Sequence, residues 1–193
     1  MNSPCLIIRC FLDYKIRLSP QGCKSPVSLM VSLQLAQPPG FLTTAMLESE
    51  VKVKVLALDL EGTLISNAVS QIARPGLFDF LEDCRKLFPR IVMFTAVNEE
   101  RFRNIAKLLT TEGYAPNWFA DIEYITWSGE TKNLSFVDGA SPEEILLVDD
   151  YEKYIHPGQE NQWIKVPNFD YPYSDDDLGL GEVLRHLRIR IAS

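Results

Sequence analysis

The sequence predicts an α/β fold, a parallel β-sheet covered by helices on both faces. Three observations predict it. From residue 51 onward, short apolar runs alternate with longer segments of helical period. The apolar runs are nearly continuous in Val, Leu and Ile, as strands buried on both faces must be. One helical segment separates the first run from the second and the second from the third, which is the connection that parallel neighbours need. Composition agrees: 193 residues, 46% hydrophobic and 23% charged, suit a chain able to bury one core.

Taken in order, residues 51–58 are rich in Val and Leu and read as a buried strand. Residues 75–88 set Leu77, Phe80, Leu81, Cys84, Leu87 and Phe88 at helical spacing. Residues 91–94 form a short apolar strand. Residues 99–111 are helical, with Phe102, Ile105, Ala106, Leu108 and Leu109 expected inward. Residues 121–126 supply another strand. Pro142 opens a turn ahead of a strand at 144–148, and residues 163–166 give a short last strand. A closing helix at 177–190 is expected to bury Leu178, Val183, Leu184 and Leu187.

Residues 1–45 differ from this body. Their apolar patches alternate with Pro and Ser, and no period persists. They are expected to be a disordered extension, or to precede the true start at Met46, with residues 46–193 as the folded domain. The apolar stretch 27–36 is too short to span a membrane. This segment holds Arg9, Lys15, Arg17 and Lys24 against Asp13, a net +3. The whole chain carries −7, so residues 46–193 carry −10 by difference. An acidic body repels nucleic-acid backbones, which argues against a nucleic-acid partner. The cysteines at 5, 10, 23 and 84 show neither disulfide nor zinc spacing, and a reducing cytoplasm is the simplest setting.

Three of the strands end in residues suited to phosphoryl chemistry. The first runs into Asp59-Leu60-Glu61-Gly62-Thr63, the second into Thr95-Ala96, and another into Asp149-Asp150, with Lys132 between the last two. In parallel sheets ligands bind at the carboxyl ends of the strands. Parallel neighbours would therefore bring four carboxylates, a hydroxyl and an ammonium to one edge. A carboxylate that attacks phosphorus splits hydrolysis into two easier steps. Because carboxylate and phosphate repel each other, a hard cation such as Mg²⁺ is expected between them, held by oxygen ligands. A second carboxyl group can protonate the leaving group and later activate water. Thr95, backbone N–H groups and Lys132 are suited to stabilising the transferring phosphoryl group. Taken singly, each feature has a plain structural reading: Asp149-Asp150 and residues 175–177 as solvated turns, Lys132 as a surface lysine. Their joint order at successive strand ends favours the site.

These residues, Asp59-Leu-Glu-Gly-Thr-Leu, Thr95, Lys132 and Val-Asp149-Asp150, resemble the four ordered motifs of the haloacid-dehalogenase superfamily over about residues 52–190. Within it the chain is most similar to the NLI-interacting-factor-like phosphatases, the group containing the RNA polymerase C-terminal-domain phosphatases. Arg74-Pro-Gly-Leu-Phe-Asp-Phe-Leu, Thr131-Lys132-Asn-Leu-Ser and Asn168-Phe169 carry that similarity. The resemblance implies a Rossmann-like sheet and a Mg²⁺-dependent phosphomonoester hydrolase. It makes Asp59 the nucleophile and a metal ligand. Residue 61 becomes the acid/base and lends its backbone carbonyl to the metal. Thr95, Ala96 and Lys132 bind phosphate. Asp150 becomes the direct metal ligand of the final pair, with Asp149 supporting the lysine or a metal-bound water. The subgroup has Asp-x-Asp-x-Thr, whereas here residues 61 and 62 are Glu and Gly. Glu keeps the acid, but its extra methylene requires the head group to fold back.

About thirty residues separate Thr63 from Thr95, and a similar stretch separates Thr95 from Lys132. One helix and its connections consume each interval, so no cap domain is expected. An open site suits a phosphate displayed on a larger molecule, a phosphoprotein among them. A small phosphorylated metabolite and a phosphate-binding module without turnover are the alternatives. Tyr124, Trp127 and Trp118 are candidates to line the site, and Arg101 and Arg103 to meet substrate anions. A receiver domain uses similar residues, but there the acidic pair precedes the phosphoacceptor.

Overall fold

A computed structural model describes residues 52–192, all within the unit Leu47–Ser193. The expectations for residues 1–45, and the boundary at Met46, lie outside the described residues. Five parallel strands form one sheet: β1 (Val55–Leu58), β2 (Arg90–Met93), β3 (Glu123–Tyr124), β4 (Ile145–Asp149) and β5 (Trp163–Lys165). Their order across the sheet is β3-β2-β1-β4-β5, and every pairing is parallel. The helices are α1 (Leu77–Leu87), α2 (Glu99–Thr111) and α3 (Gly179–Ala192). This is the α/β, Rossmann-like architecture the sequence predicts. No helix among the described residues is long and apolar enough to cross a membrane.

The helices and strands bury the residues their patterns select. Leu56, Ala57 and Leu58 of β1 are wholly buried, because the strand has neighbours on both edges and apolar side chains on both faces. Each of the two leucine side chains contributes about 2 kcal/mol of burial free energy. On one face α1 and α3 pack together, with Leu77, Phe80, Leu81 and Cys84 meeting Leu180, Val183 and Leu187 in a single cluster. The opposite face is covered by Phe94, Ile125, Leu134 and Val137. Helix α2 begins and ends at the residues expected. The Asn98 side chain caps it by accepting the Arg101 N–H at 3.0 Å, and Glu99 and Glu100 stand in the first turn, where the helix dipole favours negative charge.

Several expectations need correction. Strands β1, β3 and β5 are shorter than the apolar runs, because a strand persists only where its neighbours offer partners; β2 and β4 keep the expected length, shifted by one residue. Lys54 N–H still reaches the Glu144 carbonyl, but residues 52–54 lie outside the ladder of β1. β3 has two residues because β2 ends at Met93; one further bond, Ile125 N–H to the Met93 carbonyl, closes the pairing. Leu108 is 39% exposed and Leu178 is 74% exposed. Leu108 falls outside the buried stripe of Phe102, Ile105, Ala106 and Leu109. Leu178 precedes α3, which starts at Gly179 with its N–H held by Asp177.

Candidate active site

In this topology the chain moves from β1 outward to β2 and β3, then returns to the other side of β1 for β4 and β5. The reversal opens a crevice between the carboxyl ends of β1 and β4, the place where such sheets bind ligands. Asp59 follows β1 immediately, and Asp149 is the last residue of β4. Carboxylate oxygens of Asp59, Asp149 and Asp150 lie within 4.8 Å of one another.

Lys132 joins two of these carboxylates. Its Nζ donates to Asp59 Oδ1 at 2.6 Å and to Asp149 Oδ2 at 2.5 Å. The side chain is wholly buried, which corrects the reading of Lys132 as a surface lysine. Burial opposes its charge, but Asp59 and Asp149 outweigh that and hold the ammonium above the ordinary lysine range. Asp149 is affected in the opposite sense. Burial first, and the Asp59 charge second, push its carboxyl up to about 7, while Lys132 and the Tyr151 N–H pull it back. Asp150 is also raised, by burial and then by Asp59, against the hydroxyl of Thr63, which donates to its Oδ1 at 3.1 Å. Three carboxyl groups face one ammonium, so with all three ionised two negative charges would be left uncompensated within the cluster. An oxygen donor set with that charge fits a hard divalent cation.

The loop after β1 brings Gly62 against this cluster. Gly62 has φ +71°, which a side chain disfavours. A Cβ built there would stand 2.5 Å from both Asn168 Oδ1 and Asp150 Oδ2. The Phe169 N–H donates to the Gly62 carbonyl at 2.8 Å, tying the segment after β5 to the same loop. Glu61 is not brought into the carboxylate cluster. Its Oε1 accepts the Ala68 N–H at 2.5 Å, so its head group lies against the loop 66–73.

Thr95 is buried beside the end of β1, where the Phe94 N–H donates to the Leu58 carbonyl. Its hydroxyl oxygen accepts the Val97 N–H at 3.3 Å. Thr95 and the exposed Ala96 border a cleft of about 470 Å³ walled by Asn98, Tyr124 and Trp127. Trp127 is fixed there by its indole N–H, which donates to the Thr95 carbonyl at 2.8 Å. Trp118 lies elsewhere, bonded to Glu82 and stacked under Arg85. The two arginines of α2 serve the scaffold: Arg101 donates to the Ala68 carbonyl, and Arg103 to the carbonyls of Ala120 and Ile122.

Arg74 stands in the family-like segment of the sequence, where no role is expected of it. It is 1% exposed, and its guanidinium reaches the carbonyls of Gly62 and Thr63 and both oxygens of Asp177. Asp177 is therefore an ion-pair partner, which corrects the expectation of a solvated turn. No local signal in the sequence marks this role, because the burial of Arg74 depends on a carboxylate 103 residues further on.

A family model described as NLI interacting factor-like phosphatase matches residues 54–193. No curated protein matches the sequence. Among solved structures the chain is similar to the fission yeast RNA polymerase II CTD phosphatase Fcp1 bound to beryllium fluoride, with 15% identity and a TM-score of 0.44. That similarity covers 75% of this chain and 52% of the other, so the chain spans about half the length of that structure.

Proposed function

The chain belongs to the NLI interacting factor-like phosphatase family, and from that premise we propose that it hydrolyses phosphomonoesters through an aspartyl-phosphate on Asp59, with Mg²⁺ as cofactor. The observation that carries the proposal is the cluster of Asp59, Asp149 and Asp150 oxygens around buried Lys132, at the crevice between β1 and β4. Asp59, Asp150 and the backbone carbonyl of Glu61 would hold the metal, with Asp149 in support. Bound there, Mg²⁺ supplies the positive charge that lets a carboxylate approach a phosphate.

In the first step a carboxylate oxygen of Asp59 bonds to phosphorus as the ester P–O bond breaks. The leaving oxygen takes a proton from the carboxylic acid of Glu61. In the second step the Glu61 carboxylate removes a proton from water, whose oxygen attacks the same phosphorus and frees Asp59 and inorganic phosphate. Glu61 Oε1 rests on the Ala68 N–H, so the role requires either its second oxygen or release from that N–H. Thr95, the backbone at Ala96 and Lys132 hold the phosphoryl oxygens, with Lys132 as the principal cation.

The cleft beside Thr95 is open and no cap covers it among the described residues, which supports a phosphate carried on a protein or another large molecule. The same reading places the catalytic domain at residues 46–193 and the protein in the cytoplasm, the latter supported by the absence of paired cysteine spacing. The test is p-nitrophenyl phosphate hydrolysis with and without Mg²⁺, beside Asp59→Asn. Magnesium-dependent turnover that falls at least about a thousandfold in the variant is expected. Equal turnover by the variant would remove Asp59 from the mechanism. A panel of phosphopeptides and sugar phosphates then separates a protein substrate from a small metabolite.

A further inference from the structure

Lys132 reaches its carboxylates from a loop, not from a strand or helix, and a loop lysine needs something to fix its backbone. The structure holds that backbone from the chain segment following β4. Lys132 N–H donates to the Tyr154 carbonyl at 2.7 Å, and Lys132 forms an isolated bridge with Ile155. The next residue, His156, touches both neighbours of the lysine. Its Nδ1 lies 2.8 Å from the Thr131 hydroxyl, and its Nε2 lies 3.2 Å from Asn133 Nδ2.

The surrounding bonds decide which ring nitrogen carries the proton. Asn133 Oδ1 already accepts the Ser135 N–H at 2.9 Å and Gln159 Nε2 at 3.0 Å. Gln159 is oriented in turn, because its Oε1 accepts the Leu134 N–H at 2.8 Å. The Asn133 amide therefore presents its NH₂ to His156, whose Nε2 must accept. The proton then sits on Nδ1 and is donated to the Thr131 hydroxyl oxygen. A second proton on the ring would set an N–H against the Asn133 NH₂, and the amide cannot rotate without abandoning two bonds.

We propose that His156 is a positioning residue for Lys132, acting as the neutral Nδ1–H imidazole that clamps both sides of the lysine. The proposal rests on the reading of Lys132 as the phosphate-binding cation. The imidazole touches no reacting atom; it keeps the Lys132 ammonium between Asp59 and Asp149, and a second proton on the ring releases the clamp. On the 3-10 turn that follows, the Glu160 carboxylate accepts the Gly158 N–H at 3.0 Å and lies within electrostatic reach of the ring. It is held below its ordinary range by the N–H groups of Glu160 and Gly158 and, more weakly, by His156. From the other segment packed against the ring, Thr131 and Asn133 are neutral, and the charge of Lys132 is turned into the carboxylate cluster.

The first test is NMR on the full chain. It contains two histidines, so His186→Asn leaves the ring signals of His156 alone. We expect the Nδ1–H tautomer, and titration of that ring should move the backbone amides of residues 131–133. An Nε2–H tautomer, or a titration that leaves those amides still, overturns the proposal, and neither result depends on catalysis. The second test is kinetic. His156→Phe keeps a ring and loses both bonds. A displaced lysine should lower kcat by about tenfold to a hundredfold while KM moves by less than about twofold. His156→Gln, which restores an acceptor for Asn133, should recover part of the loss. A folded His156→Phe variant with wild-type kcat overturns the proposal. Absence of turnover in the wild type would count against the phosphatase mechanism and leave the NMR result to decide the clamp.

Discussion

Arg74 shows what a single buried charge does for the site. Its guanidinium has no exposure to speak of, so each N–H must find an acceptor inside the protein. Two acceptors are the carbonyls of Gly62 and Thr63, the turn that follows Asp59. The others are the oxygens of Asp177, and the ring of Phe169 lies 5.3 Å from the guanidinium carbon. Asp177 thus bears on the active-site turn through one intermediate. Burial would raise the Asp177 carboxyl, but the bonds from Arg74 and the Gly179 N–H outweigh it and hold it below the ordinary range. A depressed carboxyl stabilises the fold above its unfolded-state pKa, and that stabilisation is lost as pH falls through the lower, folded-state value. Asp177→Asn should therefore cost about 2–3 kcal/mol near neutral pH, read from urea unfolding. The gap between variant and wild type should stay constant from about pH 8 to 5 and close below about pH 4. A gap that widens in acid would mean that Asp177 is not the charged partner.

Elements fix what single residues cannot. The turn between β1 and residue 65 is closed by bonds from the Gly62 N–H to the carbonyls of Ile65 and Ser66, and it packs against Asp150 after β4 and Asn168 after β5. Gly62→Ala faces a left-handed backbone, about 1–3 kcal/mol of strain, and a methyl group that displaces Asp150 or Asn168. Displacing a carboxylate of the cluster should raise the Mg²⁺ concentration for half-maximal hydrolysis by about tenfold or more. A normal Mg²⁺ dependence in a folded Gly62→Ala protein would show that the methyl group moves Asn168 instead, or that Asp150 does not hold the metal. The sequence made these elements legible to different degrees. Continuous Val and Leu in β1 and β4, and the Asn98 cap of α2, act locally and could be read directly. The joint placement of Asp59, Asp149, Asp150 and Lys132 was readable because strand ends in a parallel sheet share an edge. Three features were not readable because they depend on tertiary partners. β3 is short because β2 stops, Glu61 turns to an N–H seven residues on, and Arg74 finds Asp177 across 103 residues of sequence.

At the scale of the whole molecule the charge and the proposed substrate are opposed. Residues 46–193 carry −10, so a small dianionic ester approaches a region of like sign, and only the last few ångströms, near Lys132 and the proposed metal, are attractive. Screening acts mainly on the long-range part. The Debye length shrinks from about 30 Å at 0.01 M salt to about 8 Å at 0.15 M. For p-nitrophenyl phosphate, kcat/KM should therefore rise by about twofold over that range, as the repulsion is screened while the short contacts remain. A phosphopeptide flanked by lysines should behave in the opposite way, losing rate with added salt because its flanks are drawn to the acidic surface. The pair of slopes tests the charge argument and the open-site argument together, because a displayed phosphate brings its own flanking charges to the rim of the cleft. If the small ester also slows with salt, a local basic field governs approach and net charge is the wrong guide. If both substrates are indifferent to salt, chemistry or product release limits turnover, and the difference should reappear in the rate of substrate association.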